Sequence, residues 1–284
     1  MGKTLLSIGH GFSAQGLAKL LIPKGWRVIG TTRSEEKAKR LATTGIEPLI
    51  WPGTELPIED VTHLLTSVAP KEGDPVLAEH RDQIASAKHL EWVGYLSTTG
   101  VYGDHDGGWV DETSALTPAT KRGRARVDAE AEWQTLGLPL HIFRLAGIYG
   151  PGRGPFAKVR NGTARRIIKK GQVFSRCHVD DIAQVLEASI EKPNPGAIYN
   201  ICDDDPAPPQ DVLAYAAELL GLPLPPAVDF ETAEMTPMAR SFYAESKRVR
   251  NDRIKDELGV RLLHPTYRDG LQALLSEEDA QDRK

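Results

Sequence analysis

Apolar positions along the chain fall into two alternating kinds of segment. Short continuous apolar runs read as buried strands, and stretches with a 3.6-residue period read as helices. Thr4-Leu-Leu-Ser-Ile8 is the first run, an apolar-periodic helix follows to Lys24, and Trp26–Thr32 is the second run. A helix is expected near Ser34–Thr43, with a serine at its cap and acids in its first turn. Further strands are expected at Glu47–Trp51, His63–Val68, Trp92–Leu96 and Leu140–Leu145, with helices near Val76–Lys88 and Ala119–Leu136. Beyond Gly150 the pattern loosens. Residues 150–170 are rich in Gly, Arg and Lys, prolines punctuate the next stretch, and helices are expected near Ile182–Glu191, Gln210–Leu220, Arg248–Leu258 and Tyr267–Leu275. Strands alternating with helices imply an α/β fold, a doubly wound parallel sheet of Rossmann type, joined by a smaller, partly interleaved C-terminal lobe. The boundary is placed at 149/150, with residues 176–202 returning to the first unit.

The junction of the first strand and helix carries the most chemistry. It reads Gly9-His-Gly11-Phe-Ser-Ala14, a Gly-x-Gly-x-x-Ala turn inside a βαβ unit, which is the dinucleotide-binding fingerprint. Gly9 permits the turn, Gly11 admits a pyrophosphate, and Ala14 keeps the helix close to the strand. The amides of Phe12 and Ser13 open that helix, where its dipole favours an anion. The second strand ends in Thr31-Thr32-Arg33-Ser34, with no acid before Glu35. A carboxylate there would suit the ribose hydroxyl of NAD. Arg33 instead suits a 2′-phosphate, so NADP is the expected cofactor, with Thr32 beside it.

Composition narrows the partners. A formal charge of −4 gives no basic field for nucleic acid. No apolar run reaches the roughly 18 residues of a membrane helix. Two cysteines, Cys177 and Cys202, define neither a disulfide framework nor a zinc cluster. A small-molecule substrate and a cytoplasmic setting are expected. His178-x-Asp180-Asp181 offers too few ligands for a metal, and Asp180 or Asp181 is the expected cap of the helix that follows. The basic run Arg160, Arg165, Arg166, Lys169, Lys170, with Arg176, falls in the lobe that would cover an anionic substrate.

Leu96-Ser-Thr-Thr-Gly-Val-Tyr-Gly103, Phe143-Arg-Leu-Ala-Gly-Ile-Tyr-Gly-Pro-Gly152, Cys177-His-Val-Asp-Asp-Ile-Ala183 and Ala197-Ile-Tyr-Asn-Ile201 resemble segments of the extended short-chain dehydrogenase/reductases, the NAD-dependent epimerase/dehydratase-like proteins. The likeness covers nearly the whole chain. It implies hydride chemistry in which a Ser or Thr orients the substrate, a Tyr exchanges its proton, and a Lys four residues later holds the nicotinamide ribose. Thr98 takes the first role, with Thr99 beside it. Aligned on Gly123 and Ala129-Glu130, Arg122 stands where the Tyr belongs and Arg126 where the Lys belongs. A guanidinium stays protonated and cannot serve as a base. Arg122 is then expected to bind an anionic substrate and Arg126 the ribose. Tyr102 is the first replacement for the missing tyrosine, with His10, Asp104 and His105 as further candidates. The resemblance also makes a homodimer plausible. Two functions remain open: an atypical NADP-dependent oxidoreductase or epimerase, and a non-catalytic NADP-binding sensor.

Overall fold

The computed structural model describes residues 2–282. In chain order the strands are β1 (Thr4–Ile8), β2 (Arg27–Thr32), β3 (Glu47–Ile50), β4 (His63–Thr66), β5 (Trp92–Thr98), β6 (Trp109–Val110), β7 (Leu140–Leu145), β8 (Gly147–Tyr149), β9 (Arg166–Ile168), β10 (Arg176–His178), β11 (Ile198–Ile201), β12 (Ala227–Asp229) and β13 (Arg248–Val249). The helices are α1 (Phe12–Leu21), α2 (Glu35–Ala42), α3 (Pro75–Ser86), α4 (Lys121–Gln134), α5 (Phe156–Arg160), α6 (Val179–Glu191), α7 (Pro209–Leu219), α8 (Pro237–Phe242), α9 (Asp252–Asp256) and α10 (Tyr267–Asp282).

Seven strands form one sheet in the order β11-β7-β5-β4-β1-β2-β3, and every pairing is parallel. The order reverses between β1 and β4, which opens a crevice at their carboxyl ends. Leu17, Leu21, Val185 and Leu186 of α1 and α6 pack on one face. Ile84 of α3 and Ala129 and Trp133 of α4 pack on the other. Both faces are covered, so the strands read as continuous apolar runs rather than alternating ones. Gly16 lets α1 and α6 touch: a Cβ there would lie 3.2 Å from Val179 Cγ2. A separate core gathers Tyr149, Phe156, Val159, Ala216, Tyr267 and Leu271 beyond the sheet's carboxyl edge. No helix among the described residues is long and apolar enough to cross a membrane.

Two local expectations are corrected. Arg248–Leu258 is not one helix, because Arg248–Val249 pairs with Trp109–Val110 and only Asp252–Asp256 coils. Neither Asp180 nor Asp181 caps α6. His178 does so, its Nδ1 accepting the Asp180 N–H at 3.2 Å. Asp181 faces away and accepts the N–H groups of Leu263 and His264, tying the loop before α10 to α6.

His10, His63, His141 and His178 are buried, and burial pushes each down to about 4. The unfolded chain takes up protons at these histidines near pH 6.5 and the folded chain only near 4, so stability rises with pH across that window. Thermal unfolding should therefore shift to lower temperature as pH falls from 6.5 towards 4. The slope should be up to about 1.4 kcal/mol per pH unit for each histidine. A Tm that stays flat between pH 7 and 5 would contradict this.

Candidate functional site

The glycine turn sits at the crevice where the strand order reverses. Gly9 has φ +74°, and a Cβ there would lie 2.7 Å from Val68 Cγ2 and 3.2 Å from the Val68 amide. Its N–H donates to Thr31 Oγ1 at 2.7 Å. Gly9 is thus demanded by the protein itself. Gly11 is different: a Cβ there would meet only the Gly9 carbonyl, at 3.5 Å. It precedes α1, and no side chain caps that helix, so its first amides have no intrahelical partner. Gly9, Gly11, Phe12 and Ser13 line a cleft of about 1010 Å³, and Ala14 lies buried beneath them. His10 turns inward over Gly30, whose missing Cβ makes room for the ring, and Lys37 Nζ donates to its carbonyl at 2.7 Å. Thr32 is buried at the end of β2. Arg33 follows it, exposed and without an ion pair among the described residues.

Across the crevice, β5 ends in Thr98, paired in register with Leu145 of β7. Thr98 Oγ1 accepts the Gly100 N–H at 3.2 Å. That uses an acceptor site and leaves the hydroxyl proton free to donate. Thr98 and Thr99 both line the cleft, as do Arg122 and Arg126. Thr120 caps α4 by accepting the Gly123 N–H. Gly123 brings α4 onto the Thr98 loop, since a Cβ there would stand 2.8 Å from the Gly100 carbonyl. Arg126 Nη1 donates to the Leu96 carbonyl at 2.8 Å and to Tyr95 Oη at 3.0 Å. Arg122 Nη2 reaches Ser241 Oγ at 3.1 Å, and its guanidinium lies 4.7 Å over the Phe242 ring.

Tyr102 does not face the cleft. It is fully buried, donates to Asn200 Oδ1 at 2.7 Å and accepts from Arg144 Nη1 at 3.0 Å. Burial pushes its hydroxyl up to about 12. It is a packed structural tyrosine. His10 has no access to the cleft either. Asp104 accepts the Ser246 N–H, and His105 contacts the Tyr102 carbonyl. Of the expected basic run only Arg176 lines the cleft. Arg160 pairs with Glu278, Arg165 donates to the Gly162 and Ala164 carbonyls, and Arg166 donates to the Pro225 carbonyl. The opposite wall comes from residues that no motif announces, among them Arg153, Phe174, Tyr243, Glu245 and Lys247. Lys247 Nζ donates to the Gly103 carbonyl at 2.6 Å and to Glu245 Oε2 at 2.8 Å, fastening this wall to the Thr98 loop. His264 from the loop before α10 joins His178 and Asp180, their ligand atoms within 4.8 Å of one another. His178 Nδ1 is already engaged in capping α6.

No protein-family model matches the chain. "Protein YeeZ" of Escherichia coli is 30% identical over 243 residues, spanning 78% of this chain and 86% of YeeZ. A solved structure of a functionally unknown conserved protein from Silicibacter pomeroyi is 65% identical, has a TM-score of 0.95, and covers 97% of this chain and 99% of its own. The dTDP-glucose 4,6-dehydratase of Bacillus anthracis, solved in complex with NAD, has a TM-score of 0.78 at 15% identity, covering 99% of this chain and 98% of its own. That last likeness is one of fold.

Glu130 on α4 pairs with Arg144 at 2.8 Å in the interior and also accepts from Ser97. Glu130→Ala should cost about 3–5 kcal/mol in denaturant unfolding, because it leaves a buried charge unpaired. Tyr102→Phe should cost about 1–3 kcal/mol while leaving any nucleotide affinity as in the wild type. A Tyr102→Phe protein of native stability that no longer binds nucleotide would restore Tyr102 to the site.

Proposed function

Because the chain belongs to the YeeZ family and folds as the NAD-dependent epimerases and dehydratases do, we propose that it is an NADP-dependent oxidoreductase or epimerase-like enzyme. The observation that carries this is Gly11. No packing within the protein requires a glycine there, yet the position opens onto the cleft beside the uncapped start of α1. That combination fits a dinucleotide's diphosphate, held by the amides of Phe12 and Ser13. Arg33 follows β2 with no acid beside it and no ion pair among the described residues, which favours a 2′-phosphate and hence NADP.

The nicotinamide, when bound, supplies or accepts a hydride. Thr98 orients the substrate oxygen through its free hydroxyl proton. Arg126 holds the cofactor's ribose side, its guanidinium already fixed by Tyr95 and the Leu96 carbonyl of β5. Arg122, Thr99 and Arg176 bind the substrate, and their two cations suit an anion. The tyrosine of related enzymes is replaced by Arg122, and Tyr102 is locked away. That supports a second reading, in which the protein binds NADP without hydride transfer and reports redox state to a partner. Turnover of NADPH with carbonyl compounds separates the two.

Titration of nicotinamide fluorescence should show NADPH binding at least about 10-fold tighter than NADH, as the loss of one bidentate charged contact implies. Arg33→Asp should erase that preference while leaving NADH affinity in place. Equal effects on both nucleotides would sink the assignment of Arg33.

A further inference from the structure

The lobe-side wall of the cleft has a composition that the dinucleotide does not explain. Its aromatic groups are Phe174, Phe242 and Tyr243. Phe242 and Tyr243 are neighbours in sequence at the end of α8, and Tyr243 meets Phe174 edge to face at 5.5 Å. A guanidinium stands over two of them: Arg122 lies 4.7 Å over Phe242, and Arg176 lies 6.0 Å over Phe174. All five residues line the cleft. Arg176 is held by the Phe174 and Ala207 carbonyls through Nη1, at 2.8 and 3.0 Å, which sets its position without using its other donors.

Groups that would recognise a polyhydroxylated ligand are scarce on this wall. No Asn, Gln, Asp or His lines the cleft among the described residues. Ser241 donates to the Met238 carbonyl and accepts from Arg122, whereas Ser175 accepts the Val249 N–H and keeps its proton to donate. The one acid, Glu245, pairs with Lys247 through Oε2 and keeps only Oε1 to accept. A sugar bound here would find Glu245 as its single side-chain carboxylate, and each hydroxyl left without a partner would cost roughly 1–3 kcal/mol where it is desolvated. A flat apolar ring is served well by stacking on Tyr243 and Phe174, and a carboxylate by the Arg122 guanidinium.

We propose that the substrate is an aromatic carboxylate, its ring against Phe174 and Tyr243 and its carboxylate on Arg122. This rests on reading the cleft as the substrate site, but not on hydride transfer. Calorimetric titration of the full chain with trans-cinnamate and with UDP-glucose, each with and without saturating NADP+, tests it. Cinnamate should bind and UDP-glucose should not. Arg122→Gln should weaken cinnamate about 10-fold or more. Tyr243→Leu should weaken it too, while NADPH titration of both variants stays as in the wild type. Binding of UDP-glucose without cinnamate, binding of neither, or cinnamate affinity untouched by both substitutions would each overturn the proposal. If NADPH fails to bind the wild-type chain while cinnamate binds, the nucleotide reading falls and the aromatic site stands.

Discussion

The buried ion pair between Glu130 and Arg144 is the interaction on which the cleft depends. It joins α4 to β7, reaches β5 through Ser97, and reaches β11 through Tyr102 and Asn200. Taking both charges out of water costs several kcal/mol, so such a pair adds little net stability over a well-packed apolar alternative. Its effect is on placement. Glu130 lies one helical turn beyond Arg126 and two beyond Arg122, so fixing it fixes the rotation of α4. Gly123 then sets how close the helix comes to the Thr98 loop. Arg122 and Arg126 face the crevice because the helix that carries them cannot turn.

The same geometry explains why the tyrosine at 102 is spent on structure. Its hydroxyl accepts from Arg144 and donates to Asn200 Oδ1, two buried groups that would each lose a partner without it. A group with that duty cannot also exchange protons with a ligand. The cleft is left rich in fixed cations and poor in groups that titrate near neutrality.

Much of the fold was legible because it is written in short-range periodicity. Buried parallel strands are continuous apolar runs, and Leu140–Leu145 is read to the residue. The Gly9–Ala14 turn was legible because its demands are local. What lay beyond reading was long-range. Arg248–Val249 pairs with Trp109–Val110 across more than a hundred residues, and nothing in a helical pattern reveals such a partner. The cap of α6 was missed because histidine is an uncommon cap, while two aspartates stood nearby with better credentials. Phe174, Tyr243 and Lys247 carry no motif. Their meeting is a product of tertiary packing, and the faint signal was only that aromatics and cations recur between residues 169 and 247.

Gly9 and Gly11, two residues apart, answer to different selections. At Gly9 a side chain would collide with β4's exit, so any variant declares itself as a folding defect. At Gly11 the interior offers no objection, and Gly11→Ala would pass through a screen for abundance or thermostability unnoticed. Laboratory evolution that rewards only soluble expression would therefore let position 11 drift while holding position 9. The protein would end well folded, with a methyl group standing where Gly11 now opens onto the cleft.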